Sequence, residues 1–112
     1  MAEYVNMIEV KRIARDKGSH WFDSDTMRFF DSRVSKMALF DGELYWFVSS
    51  EQFHDFDRGL WEPREYTIRT MTIDGDINTA GELGEHSTSA RAWRVLRAAV
   101  QEVERLRQSR TA

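Results

Sequence analysis

The chain has 112 residues, one compact domain's worth, and a domain of that size hides somewhat under ~70% of the surface its unfolded chain exposes. With 41% hydrophobic and 31% charged residues, and no run near the ~20 apolar residues of a membrane span, the composition excludes a disordered chain and a membrane-spanning helix. Sixteen basic residues against 19 acidic leave a net charge of -3 and there is no cysteine, which removes the basic excess of a dedicated nucleic-acid binder, disulfides and thiolate metal sites. Met1-Ala2-Glu3-Tyr4 has neither the basic start nor the apolar stretch of a signal peptide, so a cytoplasmic location is expected.

Asn6-Met7-Ile8-Glu9 is laid out as a capping box, and Met7, Val10, Ile13 and Ala14 then share one helical face until Gly18. That pattern predicts a first helix at about 6–17, with residues 1–5 frayed ahead of it. Asp23 is a second N-cap, with Asp25 in the first turn where the helix dipole favours negative charge. Thr26-Met27-Arg28-Phe29-Phe30 then makes a short helix whose expected task is to plug aromatic rings into the core.

From Arg33 the pattern changes to strands. Arg33–Phe40 and Glu43–Ser50 flank Asp41-Gly42, the signal of a type I′ hairpin, and a two-residue turn there sets Leu39 opposite Leu44 and Met37 opposite Trp46. A second hairpin is expected from Arg64 to Ile73, around Asp74-Gly75-Asp76, and on to Leu83. Its side chains favour a three-residue loop, with Ile73 opposite Ile77 and Met71 opposite Thr79, over a two-residue turn pairing Ile73 with Asp76; an Asp or Gly should be left-handed there.

Ser87, Thr88 or Ser89 caps a last helix that reaches about Gln108, with 109–112 frayed. Its apolar residues, Ala92, Leu96, Val100 and Val103 with Trp93, Val95, Ala99 and Leu106, fall in one arc of roughly 160°, and Arg91, Arg94, Arg97 and Arg105 oppose them. The expectation is a single α+β domain over 1–112. A four-stranded antiparallel sheet of two hairpins carries the N-terminal helix, the short second helix and the long C-terminal helix on one face.

The run His20-Trp21-Phe22-Asp23-Ser24-Asp25-Thr26-Met27-Arg28-Phe29-Phe30-Asp31-Ser32-Arg33 resembles the signature of a family of small proteins encoded mostly by phages and prophages, with no assigned activity. Phe47-Val48-Ser49-Ser50-Glu51, Tyr66-Thr67-Ile68-Arg69 and Thr79-Ala80-Gly81 continue the resemblance, which covers roughly Lys17 to Val100. It departs at Asp23-Ser24, where Ser-Pro is expected, keeping the cap and losing the proline at the first helical position. The loop from Gln52 to Pro63 is also longer than the family's pattern. The resemblance implies a phage or mobile-element setting in the host cell's cytoplasm and supplies no catalytic residues.

No pattern points to catalysis. His54-Asp55-Phe56-Asp57, with Glu51 nearby, offers a nitrogen and several oxygens to a divalent ion, but the spacing matches no metal motif and reads as a solvated acidic loop. No metal or other cofactor is expected. Ser49-Ser50-Glu51 lacks the Gly-x-Ser-x-Gly turn that exposes a nucleophile. In Gly81-Glu82-Leu83-Gly84-Glu85 two glutamates would repel a phosphate from the glycine loop.

Two binding readings remain. From Glu51 to Glu65 five acids (Glu51, Asp55, Asp57, Glu62, Glu65) against two arginines (Arg58, Arg64) carry a charge of -3, and the rest of the chain sums to zero. In that loop Phe53, Phe56 and Trp61 alternate with Asp55, Asp57 and Glu62, rings to anchor a basic partner and carboxylates to steer it. A compact loop folding its rings back onto the sheet competes with this picture. The leading expectation is a non-enzymatic phage or mobile-element accessory protein that binds a host or phage macromolecule, with a protein expected, through the loop and the neighbouring sheet surface and inhibits a host function or defence. The alternative is a small-ligand or nucleotide-sequestering protein in which Arg28, Arg33, Arg64 and Arg69, with Tyr66, grip the ligand by stacking and bidentate phosphate contacts. Those arginines can equally pair with Asp23, Asp31 or Glu51. Strand parity sets Arg69 apart, with Met71 and Ile73 rather than Tyr66. Duplex nucleic acid and membranes are not expected partners.

Overall fold

In chain order the elements are β1 (Glu3–Asn6), α1 (Met7–Asp16), α2 (Ser24–Phe29), β2 (Arg33–Val34), β3 (Met37–Phe40), β4 (Leu44–Glu51), β5 (His54–Asp55), β6 (Leu60–Trp61), β7 (Glu65–Thr72), β8 (Ile77–Ala80) and α3 (Ser89–Thr111). They are seen in a computed structural model that describes residues 2–29 and 31–111. The expectations placed on Met1, Phe30 and Ala112 lie outside the described residues.

Strand β4 is the centre. It is buried from Tyr45 to Glu51 and pairs along its whole length with β7, from Leu44 opposite Thr72 to Glu51 opposite Glu65. The antiparallel sheet runs β1-β3-β4-β7-β8, with β2 also against β4, so it has six strands where four were expected. The added strand β1 comes from residues expected to fray, and it lies along β3 from Glu3 opposite Phe40 to Asn6 opposite Met37. Asn6 then caps α1, its Oδ1 accepting from the Ile8 amide at 2.8 Å. At the other end α3 continues through Thr111, past the expected stop at Gln108. Its cap is Thr88, whose Oγ1 accepts from the Arg91 amide at 3.1 Å.

Side chains alternate along a strand, and β4 is apolar at both parities. Tyr45 and Phe47, with Met71 and Ala38, lie beneath Met7, Val10 and Ala14 of α1. Trp46 and Val48, with Leu39 and Ile68, lie beneath Ala92, Leu96 and Val100 of α3. The two long helices therefore cover opposite faces, which corrects the expected one-face packing: a strand apolar on both sides has to be covered twice. The helix α2 buries none of its residues, and Phe29 is exposed. The aromatic plug is instead Trp21 and Phe22 in the preceding turn, with ring centres 5.9 and 5.8 Å from that of Phe47. The apolar stripe of α3 is narrower than its wheel implies, since Val95 and Leu106 are exposed.

Both hairpins form with shifted registers. At the open end of the first, Arg33 lies opposite Ser50 and Val34 opposite Ser49, as a two-residue Asp41-Gly42 turn requires. Nearer the turn the pairs become Leu39 with Trp46 and Phe40 with Tyr45. The slack is taken up at Ser35 and Lys36, and the Lys36 carbonyl accepts from the Met7 amide at 2.9 Å, so the irregularity serves the start of α1. Asp41 is not a turn centre. Its buried carboxylate accepts at Oδ1 from the amides of Glu43 and Leu44 and at Oδ2 from the Trp46 indole, each at 2.8 Å. Arg107 of α3 reaches the same carboxylate at 3.3 Å.

The second hairpin has the expected three-residue loop, set back by one position. The Thr72 amide donates to the Asp76 carbonyl at 3.0 Å, which leaves Ile73-Asp74-Gly75 as the loop and Met71 opposite Ile77. Gly75 is left-handed, with φ 86°, and a Cβ there would lie 3.1 Å from Cβ of Lys17, where the hairpin meets the end of α1.

Burial alone would raise the Asp41 pKa, but the bonds from the Leu44 amide, the Trp46 indole and the Glu43 amide, with the Arg107 charge, outweigh it and hold the group below 3.8. A depressed carboxylate contributes stability above its unfolded value and loses it as pH falls through the folded one. Asp41→Asn should therefore cost about 1.5–3 kcal/mol at neutral pH, the worth of a bond to a charged group. The gap in melting temperature from wild type should hold above pH ~5 and narrow below pH ~4. A gap that stays constant down the acid limb would show that Asp41 is not the group responsible.

Candidate functional site

On the α1 face of the sheet the apolar residues of β4 stop at Phe47. The next on that face are Ser49 and Glu51, and on β7 Arg69 lies across from Phe47, Thr67 from Ser49 and Glu65 from Glu51. Arg69 donates from Nε to Ser49 Oγ at 2.9 Å, from Nη1 to Thr79 Oγ1 at 2.6 Å and from Nη2 to Glu51 Oε1 at 3.1 Å. Glu51 also accepts from Ser49 Oγ at 2.7 Å and from Thr67 Oγ1 at 3.1 Å. Glu51 is 3% exposed and Ser49 and Thr67 are fully buried, so the charged pair is desolvated. Such a pair is tolerable only when further bonds use its remaining donors and lone pairs, and here the hydroxyls of Ser49, Thr67 and Thr79 do so.

Two segments close over this network. The Trp21 indole lies against the Arg69 guanidinium, 5.4 Å from ring centre to Cζ, a cation–π arrangement. The Gly84 amide donates to Thr67 Oγ1 at 2.8 Å. Gly84 has φ 68°, and a Cβ there would meet Cβ of Glu65 at 3.2 Å, so only glycine allows the approach. Between α2 and this loop is a cavity of about 590 Å³, walled by Trp21, Met27, Phe29 and Leu83 over a floor of Arg69, Thr79 and Glu51. Asp25, Thr26 and Ser32 complete its rim.

The structure disperses the residues of the nucleotide reading. Arg69 and Tyr66 belong to opposite faces of β7, and Tyr66 lines a separate hollow of about 140 Å³ with Arg33. Arg64 is taken by Asp31, donating to its carboxylate and, at 2.9 Å, to its carbonyl, with Ser50 Oγ a further acceptor at 3.0 Å. Arg33 reaches the same carboxylate at 3.4 Å. Asp31 is left-handed at φ 47°, a conformation uncommon outside glycine, and two arginines hold it there. Arg28 is exposed at the end of α2. Trp21 and Leu83 are the site residues that sequence reasoning missed, whereas Asp31 and Glu51 were among the carboxylates it offered to the arginines; parity alone could have found Thr79, which pairs with Arg69.

The acidic aromatic loop is a small hairpin, β5 against β6, with His54 opposite Trp61 and Asp55 opposite Leu60; among the described residues these strands pair only with each other. Asp55 Oδ1 accepts from the amides of Asp57 and Arg58 at 3.1 and 3.2 Å and so shapes the turn. At the base the Glu62 amide donates to the Phe53 carbonyl at 2.8 Å. Phe56 is 87% exposed and Trp61 60%, and Leu60, absent from the sequence-based set, is exposed beside them. The His54 ring stands edge-on to Phe56 and Trp61 at 4.7 and 4.8 Å. Asp57 and Glu62 are exposed, whereas Phe53 and Asp55 are half-buried.

Residues 6–97 match a family of unknown function, DUF7447. The chain belongs to that family. The DUF7447 match runs from the cap of α1 into α3 and takes in both the Arg69 cavity and the β5–β6 hairpin. No curated protein and no solved structure matches the chain. Among the described residues no helix is long and apolar enough to cross a membrane, and no three His, Asp or Glu side chains are grouped to hold a metal ion.

Proposed function

We propose that the chain is a phage or mobile-element accessory protein without catalysis of its own, which docks a basic host or phage protein through the β5–β6 hairpin and so blocks a host function or defence. The observation that carries this reading is the exposure of Phe56 and Trp61, both against the His54 ring, on a hairpin whose own bonds hold it. Clustered exposed apolar side chains mark interaction surfaces more often than scattered ones do. Asp57 and Glu62, exposed beside the rings, supply the charge that steers a basic partner. The phage setting and the host cytoplasm rest on the likeness of the run from His20 to Arg33. A phosphate grip is the weaker reading, because Arg64 and Arg69 already face the carboxylates of Asp31 and Glu51.

The test is affinity capture from host-cell lysate by wild type and by Trp61→Ala, followed by kinetics with the captured protein. Trp61→Ala should raise the off-rate so that affinity falls about thirtyfold, as for a central anchor worth ~2 kcal/mol, with an unchanged melting temperature. The pair Asp57→Asn and Glu62→Gln should slow association and flatten its salt dependence. Undiminished capture by the Trp61 variant would remove the hairpin from the interface.

A further inference from the structure

We propose that the cavity over Arg69 binds an uncharged, flat heteroaromatic molecule of nucleobase or nucleoside type. Its volume of about 590 Å³ is in the range of small-molecule sites. The walls supply two aromatic rings, a thioether and a leucine, which suit the face of an unsaturated ring. Leu83, which lines this cavity, is 54% exposed overall, so a molecule bound against it would remove apolar surface from water.

Charge decides the class of ligand. One guanidinium, Arg69, lines the cavity with two carboxylates, Glu51 and Asp25, and Glu51 is bonded directly to that guanidinium. A phosphate or carboxylate entering here would meet more negative charge than positive, while a neutral ring would not. Arginine has five N–H groups. Among the described residues Ser49, Thr79 and Glu51 take three of them, and the second N–H on each Nη is the donor offered to a carbonyl or ring nitrogen of the guest. This site lies apart from the β5–β6 hairpin and does not depend on the docking reading.

The experiment is calorimetric titration of the full chain with adenosine, guanosine, cytidine and uridine, and with their 5′-monophosphates. At least one nucleoside should bind saturably, and its monophosphate should bind no more tightly. Leu83→Glu, at an exposed position of the wall, should weaken that nucleoside at least tenfold with the circular-dichroism melt unchanged. On the wild-type chain, NMR shift changes on titration should centre on Trp21, Leu83 and Arg69, a readout that needs no variant to fold. Trp61→Ala should bind the nucleoside like wild type even if it loses its protein partner. Tighter binding of the monophosphates, shift changes centred elsewhere, or no saturable nucleoside binding at millimolar concentration would overturn the assignment.

Discussion

Phe47→Ala should destabilise the chain by about 3–5 kcal/mol, the range for deleting a buried ring, a large share of the ~5–15 kcal/mol that holds a typical domain together. Phe47 has no exposed surface and receives the rings of Trp21 and Phe22 from above. Collapse into the vacated space is hindered from below, because β4 is bonded on both edges, to β3 and β7. Relief could come from α1 or from the Trp21-Phe22 turn sinking toward the sheet, and movement of the turn would draw the indole off Arg69 and reshape the cavity. Urea unfolding gives the answer directly. A loss under ~1.5 kcal/mol would show that the layer above Phe47, α1 or the Trp21-Phe22 turn, does sink.

Glu51→Ala should cost a similar amount, about 3–5 kcal/mol, for a different reason: it leaves the Arg69 guanidinium largely buried without its counter-charge. Two hydroxyl donors, Ser49 and Thr67, lose their acceptor at the same time. If the penalty is the uncompensated charge, Glu51→Met combined with Arg69→Met should recover most of it, since an apolar pair of similar volume has no charge to desolvate. The doubly substituted chain should then fold and fail to hold a nucleoside, separating the structural cost of the pair from its recognition role. Thermal melts of the single and double variants, with and without nucleoside, measure both. A double variant no more stable than the single would mean that packing lost at these positions, and not orphaned charge, sets the cost.

The helices α1 and α3 and the two main hairpins were legible because their signals are local: a cap followed by a 3.6-residue stripe, or alternation broken by Asp-Gly. What was missed depends on contacts remote in sequence. Glu3–Asn6 has only Tyr4 and Val5 to mark it, and it is a strand because β3, some thirty residues later, has an edge to offer. Asp41-Gly42 looks like a turn centre, yet Asp41 is drawn inward by Trp46 and by Arg107, 66 positions away. The two-sided character of β4 is present in Leu44-Tyr45-Trp46-Phe47-Val48, where neither parity is polar, whereas hairpin pairing by itself makes only one face the core face.

For the candidate sites, parity separated Arg69 from Tyr66 correctly. Composition identified the loop bearing Phe56 and Trp61. Whether rings face outward or inward is set by how the loop's own backbone closes, which periodicity does not encode, and the capture of Arg64 by Asp31 joins residues on different elements.

The doubly covered strand makes the sheet a partition wall between two apolar compartments. Trp46, Val48 and Ile68 stay sealed under α3 whatever happens above Phe47 and Arg69. Breathing on the α2 side, the kind of local opening that admits a guest, is thus a one-room event that exposes little of the neighbouring compartment and leaves the hydrogen-bonded wall standing.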